Sequence, residues 1–270
     1  MSSERDTLCI VTGASRGFGA EIVRQFSAAF GTDYSITFVL LSRSLAPMES
    51  LAADMKLRPG VSHVHVIPVD LGAVDRMAED VAAVPELLTS KSWEHVYLFN
   101  NAGSLGILKQ GADMGCAGVR DAINLNVTGV IIFTNLVLGA VRAAGIRSCF
   151  VVNTSSKMAE MAVSSASLYC SGKAARKMYH EVLALEAPDT LRVLNYGPGV
   201  MHTAMQDEIQ ALKPESGALA ALEDVVFKRK AATPVDESCR ELMKLLAKNE
   251  FRSGETVDIY DLRPDLNPFS

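Results

Sequence analysis

The chain has 270 residues, 49% hydrophobic and 21% charged, with a formal net charge of -5. That balance suits a single globular α/β domain and excludes a low-complexity or disordered chain. The mild acidity without a basic patch argues against a nucleic-acid partner, and the short, interrupted apolar runs argue against a membrane span.

Met1–Asp6 is polar and runs directly into an apolar stretch, so it does not read as a secretory leader. The five cysteines, Cys9, Cys116, Cys149, Cys170 and Cys239, are scattered and lack CxxC spacing. Reduced thiols in a cytoplasmic protein are expected, with no disulfide framework and no metal site. His63 and His65 share one side of a strand-like run, but no third ligand lies nearby in sequence.

Apolar runs predict strands over 7–12, 35–41, 62–69, 95–100, 148–154, 190–196 and 255–260. Their apolarity is continuous rather than alternating, as in strands covered on both faces. Helical spacing lies between them, over 17–30, 45–57, 73–89, 117–144, 167–187 and 235–248. Repeated βα units imply a single-domain, doubly wound parallel sheet of Rossmann type with helices on both faces. Ligands in such folds sit at the carboxyl ends of the strands. The least regular stretch, 200–233, is expected to form a mobile cover over the site.

The first strand leads into Thr12-Gly13-Ala14-Ser15-Arg16-Gly17-Phe18-Gly19. A strand, a glycine turn and a helix N-terminus aim backbone N–H groups at a phosphate. Gly13 suits the tight turn, while Gly17 and Gly19 allow close approach of a pyrophosphate and of the helix. The second strand ends Ser42-Arg43, where an NAD enzyme would usually carry an acid for the ribose 2′-hydroxyl. Arg43 and Arg16 instead suit a 2′-phosphate, which favours NADP(H). Asp70, followed by Leu71, ends the third strand; it can accept from an adenine amino group or cap the next helix.

The fourth strand ends Asn100-Asn101-Ala102-Gly103, a group that can hold the adenosine side of a cofactor or brace the sheet. Asn126 is a poor choice for a helix interior. It implies either a local kink or a side chain bonded across to a neighbouring strand. The fifth strand ends Thr154-Ser155-Ser156, and Tyr169 and Lys173 follow on one helical face. A lysine ammonium beside a phenol lowers its pKa from a reference near 10. That suits Tyr169 to give a proton to a forming alkoxide, with Ser156 on the same oxygen and Lys173 on the nicotinamide ribose. The sixth strand ends in the Pro198-Gly199 turn, a wall of the crevice, with Thr203 placed to meet the nicotinamide amide or the phosphates.

Taken in order, TGASRGFG, NNAG, Asn126, Ser156, Tyr169-x-x-x-Lys173 and the Pro198-Gly199 turn resemble the short-chain dehydrogenase/reductase family over nearly the whole chain. The resemblance implies a catalytic group of Asn126, Ser156, Tyr169 and Lys173. It implies cofactor contacts from Gly13, Ser15, Arg16, Gly17, Phe18, Gly19, Arg43, Asp70, Leu71, Asn101, Ala102, Gly103, Tyr169, Lys173, Pro198, Gly199 and Thr203. A narrower resemblance is to the sepiapterin reductase family. It is carried by Asn100–Gly106, Leu168–Arg176, Val182–Glu186, Arg192–Tyr196 and Ser253–Asp261, where Ile259-Tyr260 replaces the glycines common elsewhere. That likeness implies NADPH-dependent reduction of pterin side-chain carbonyls in tetrahydrobiopterin synthesis by a cytosolic homodimer. Ser156, Tyr169, Gly199 and Asp258 would touch the substrate, Asp258 anchoring the pterin ring.

Four residues depart from the family pattern. Lys157 and Glu160 stand where apolar pocket residues are expected, and His202 and Ala204 replace acidic ones. A general carbonyl or diketone reductase therefore remains a second reading. A third is a binding protein that senses NADP(H) without turnover, against which the intact Ser156, Tyr169 and Lys173 stand.

Overall fold

The computed structural model describes residues 5–201, 203 and 232–267. The expected cover over 200–233, with His202 and Ala204, falls largely outside the described residues. The described chain runs β1 (Arg5–Thr12), α1 (Gly17–Phe30), β2 (Tyr34–Ser42), α2 (Leu45–Met55), β3 (Val61–Pro68), α3 (Met77–Asp80) and α4 (Ala83–Ser90). It continues through β4 (His95–Asn100), α5 (Cys116–Ile123), α6 (Gly129–Ala143), β5 (Cys149–Thr154), α7 (Ser167–Glu186) and β6 (Leu191–Gly197). It closes with α8 (Val235–Lys248), β7 (Glu255–Asp258) and α9 (Ile259–Leu262).

The seven strands form one sheet in the order β3-β2-β1-β4-β5-β6-β7, parallel throughout. The order reverses between β1 and β4, so the crevice opens at their carboxyl ends. Alternation along β1 feeds two cores. Cys9 and Val11 face α1, α2 and α8, through Phe26, Met48 and Leu242. Leu8 and Ile10 face the other layer, with Val84, Phe133, Val137 and Leu183. Each such aliphatic side chain contributes roughly 1.5–3 kcal/mol by leaving water. α1 forms where expected because Ile22, Val23, Phe26 and Phe30 recur on one stripe, all buried.

Three predicted elements differ from those observed. The helix expected over 73–89 is a 3-10 turn (Val74–Arg76) followed by the short α3 and α4. Pro85 lacks an N–H and fits only the first turn of a new helix, so a continuous helix is forbidden there. The helix expected over 117–144 is interrupted by a π-helical turn, Asn124–Thr128. The last strand ends at Asp258 because that residue starts α9: its carboxylate accepts from Tyr260 N, and Asp261 accepts from Asp258 N. The run Cys116–Ala143 is, by length and composition, apolar enough to cross a bilayer, contrary to the expectation of only short runs; here its α6 part packs Phe133 and Val137 onto the sheet.

Among the described residues no cluster of His, Cys, Asp and Glu is arranged for a metal, and the five cysteines are free thiols. His63 and His65 stack on each other on the exposed side of β3.

Candidate active site

A cavity of about 750 Å³ lies along the carboxyl ends of the strands. At one end is the glycine turn. Gly13 and Gly17 adopt φ of 67° and 56°, which L side chains reach only at a cost. A Cβ on Gly19 would collide with Gly13 O, so this glycine brings α1 against the turn rather than touching the cavity. The first turn of α1 has no side-chain cap and no acidic residue, leaving its N–H groups and positive dipole end to an anion. Ser15 Oγ and Ser42 Oγ bond each other at 2.8 Å across β1 and β2, and Arg16 and Arg43 line the cavity beside them. Two guanidinium groups, free backbone donors and glycine clearance fit a dinucleotide carrying an extra phosphate.

The amides after β4 brace this end. Asn101 Nδ2 donates to Thr12 O at 3.0 Å and to Gly13 O at 3.3 Å. Thr12 Oγ1 donates to Phe99 O and accepts from Asn101 N and Ala102 N. Asp70 lines the cavity, and its Oδ1 accepts from Gly72 N at 2.9 Å; it shapes a turn rather than capping a helix. A Cβ on Gly17 would sit 3.6 Å from Thr203 Cγ2, which puts Thr203 by the phosphate-facing turn.

Ser156 and Tyr169 stand at the other end, hydrogen-bonded to each other. Ser156 Oγ also accepts from Met158 N at 3.2 Å. Neighbouring Ser155 lines the cavity with a buried hydroxyl that has no partner among the described residues, as expected of a group that meets a ligand. Lys173 Nζ donates to Thr154 O at 2.7 Å and lies 5.6 Å from the centre of the Tyr169 ring.

The electrostatics differ from the sequence expectation. Burial raises the Tyr169 phenol above its usual range; its bond from Ser156 and the charge of Arg176, not Lys173, pull it down. Burial and the nearby Arg176 charge push the Lys173 amine well below its usual range. An ammonium that is itself disfavoured cannot hold the phenol down, so the sequence argument misassigned the cation.

Asn126 satisfies both readings made of it. It sits in the π-helical turn, and its side chain clasps the segment after β4, accepting from Ser104 N at 2.9 Å and donating to Ser104 O at 3.0 Å. It is buried behind the cavity wall. Asp258 likewise lies outside the cavity lining. One carboxylate oxygen caps α9, and the other is 4.0 Å from Lys157 Nζ. The remaining expected residues, Gly13, Phe18, Leu71, Ala102, Gly103, Pro198 and Gly199 among them, line the cavity together. Sequence reasoning missed Ser155, Met158, Val163 and Met201 in the wall. Ser155 was legible as the residue before Ser156; the others carry no signal beyond being apolar.

The comparisons agree with this geometry. The family model described as short chain dehydrogenase matches residues 7–213. The chain belongs to that family. It is an oxidoreductase of the short-chain dehydrogenase fold, and this fold binds nicotinamide cofactors. Sepiapterin reductase of Bos taurus is 36% identical over 259 residues, covering 94% of this chain and 95% of that one. Sepiapterin reductase of Rattus norvegicus is 31% identical over 259 residues, covering 94% and 97%. An alcohol dehydrogenase from Thermococcus sibiricus, solved with 5-hydroxy-NADP, superposes with a TM-score of 0.72 at 22% identity over 94% of this chain and 96% of that one; at that identity it speaks for the fold alone.

Proposed function

We propose that this short-chain dehydrogenase is an NADPH-dependent reductase of pterin side-chain carbonyls, working in tetrahydrobiopterin synthesis as a cytoplasmic homodimer. The observation that carries the reaction type is the meeting of Ser156 and Tyr169 in one cavity with the glycine turn. NADPH over NADH is supported by Arg16 and Arg43 beside the Ser15–Ser42 bond, where no carboxylate is positioned for a ribose hydroxyl. The pterin is supported by likeness to sepiapterin reductases across 94% of the chain.

The bound nicotinamide would supply the hydride to the carbonyl carbon. The chain's residues do the rest. Ser156 Oγ–H and Tyr169 Oη–H bind the carbonyl oxygen; as negative charge develops there, Tyr169 passes its proton to it. Lys173, anchored on Thr154 O, is held beside the Tyr169 ring where it can take a ribose hydroxyl. Asn126 keeps the Ala102–Ser104 segment in place beneath. Asp258 would accept hydrogen bonds from the 2-amino-pyrimidine edge of the pterin.

The dimer is supported by an apolar stripe on the outer face of α7: Met178, Val182 and Leu185 are 59%, 43% and 81% exposed at helical spacing. Light scattering at low micromolar concentration should give twice the chain mass.

One observation favours a second reading, reduction of small ketones or diketones: Lys157 already occupies the free side of Asp258. Consumption of NADPH with sepiapterin, beside a diketone and beside NADH, separates the two. Turnover of the diketone alone would move the protein to the second reading.

A further inference from the structure

Arg176 is the least expected residue behind the site. It is fully buried on α7, two turns beyond Tyr169 and on the same face. Its guanidinium donates to Asn153 Oδ1 at 2.9 Å, to Ala102 O at 2.7 Å and to Asn100 O. None of these partners is a carboxylate, although a buried cation is costly unless paired. The one ionisable neighbour on its helix turn, His180, is neutral: Asn100 Nδ2 donates to its Nε2, its Nδ1 bonds Arg176 O, and burial pushes its pKa down to about 3. The guanidinium also abuts the wall of the cavity, since a Cβ on Gly103 would lie 3.5 Å from Nη1 and 3.2 Å from Asn126 Oδ1.

We propose that Arg176 is a positioning residue for the reduction: it is the buried positive charge in whose field Tyr169 releases its proton, and its three hydrogen bonds hold the ends of β4 and β5 in register with α7. The proposal rests on Tyr169 being the proton donor. The other groups that bear on the phenol are Ser156, which hydrogen-bonds it from beyond β5, and Lys173 and Cys170 on α7. Lys173 is committed to Thr154 O, and its charge is disfavoured by burial and by Arg176 itself. That leaves the guanidinium, which keeps its proton even buried, with a pKa brought down only to about 10. Its charge has no anion of its own to neutralise it, so a phenolate at Tyr169 is the nearest one the site can form.

The sign follows directly. With the positive charge removed, the phenol holds its proton to higher pH. The alkaline limb of carbonyl reduction moves up, and the acid limb of alcohol oxidation, which needs the phenolate, moves up with it. The test is the pH dependence of kcat in both directions for Arg176→Met and Arg176→Lys. A direct reading of Tyr169 ionisation by ultraviolet difference against Tyr169→Phe, in protein without added cofactor, accompanies it. Arg176→Met should move both limbs and the phenolate signal up by roughly one pH unit. Arg176→Lys should restore most of that shift while kcat stays lowered, because an ammonium cannot span three acceptors. A lower kcat with limbs and phenolate signal unmoved in Arg176→Met would overturn the proposal and leave Arg176 a structural clamp. Should Arg176→Met fail to fold, a shifted phenolate signal in the charge-retaining Arg176→Lys would overturn it, and an unshifted one would support it. Tyr169→Phe that keeps full turnover would instead remove the reading on which the proposal rests.

Discussion

At the glycine-turn end of the cavity the ligand-facing groups are backbone atoms at the tips of buried strands, locked by Thr12 and Asn101. At the Lys157 end they are charged side chains on short segments. Lys157 reaches Asp258 at 4.0 Å and Asp261 at 3.9 Å, and Lys177 bridges Glu160 and Glu181. The first arrangement is set by sheet geometry and changes little unless a glycine changes. The second hangs on individual ion pairs, most of them exposed, each worth about 1 kcal/mol or less. Reaction type and cofactor class therefore belong to the rigid end, and substrate choice to the adjustable one.

The largest expected effect lies where the two ends meet. Tyr169→Phe removes the proton donor and should lower kcat roughly 10²- to 10⁴-fold with both pterin and diketone, leaving NADPH affinity measured by fluorescence near its original value. A loss confined to one substrate would break the division between the two ends.

Next in size is Arg43→Ala. A charge-assisted contact with a 2′-phosphate is worth about 1.5–3 kcal/mol, so the KM for NADPH should rise roughly ten- to a hundredfold while the KM for NADH barely moves. Equal effects on both would place Arg43 outside the phosphate site.

Asp258 needs two variants because it has two jobs. Asp258→Ala loses the cap on α9, costing about 1 kcal/mol and lowering Tm. Asp258→Asn keeps an oxygen for Tyr260 N but no charge. On the pterin reading, Asp258→Asn should cost about tenfold in kcat/KM for sepiapterin, with the diketone and Tm almost unchanged. Equal losses on both substrates would leave Asp258 only its structural role.

This difference between the ends also explains what the sequence made legible. The parallel sheet, its strand positions and the glycine turn follow from continuous apolar runs and from glycines with one conformational purpose. Asn126 signalled itself by being polar in a helix, and the π-turn is the result. The Tyr169–Lys173 spacing was legible, but their charge states were not. These depend on burial and on Arg176, whose three acceptors come from β4 and β5, 23 to 76 residues away along the chain. Spacing on a helix reports neighbours along that helix and says nothing of what lies beneath it. Asp258 shows the same limit: its position at a strand end was readable, whereas its capping bond and its pairing with Lys157 require the folded chain.

The smallest expected effect is the most specific test of the adjustable end. Lys157 is 45% exposed, while the Asp258 side chain it approaches is 6% exposed. Asp258 carries a carboxyl raised by burial and eased down by its bond from Tyr260 and by the Lys157 charge. A pterin's amino-pyrimidine edge would have to displace that ammonium to reach Oδ2. Lys157→Met keeps the stem's volume and removes the competitor, so the KM for sepiapterin should fall a few-fold, in keeping with an exposed pair of about 1 kcal/mol or less. The KM values for NADPH and the diketone should stay put. Added salt should narrow the gap between wild type and variant, because it screens the pair in the former and finds none in the latter. A KM for sepiapterin that rises instead would mean that Lys157 holds the substrate itself, and the acidic end of the cavity would then be read by its cation rather than by Asp258.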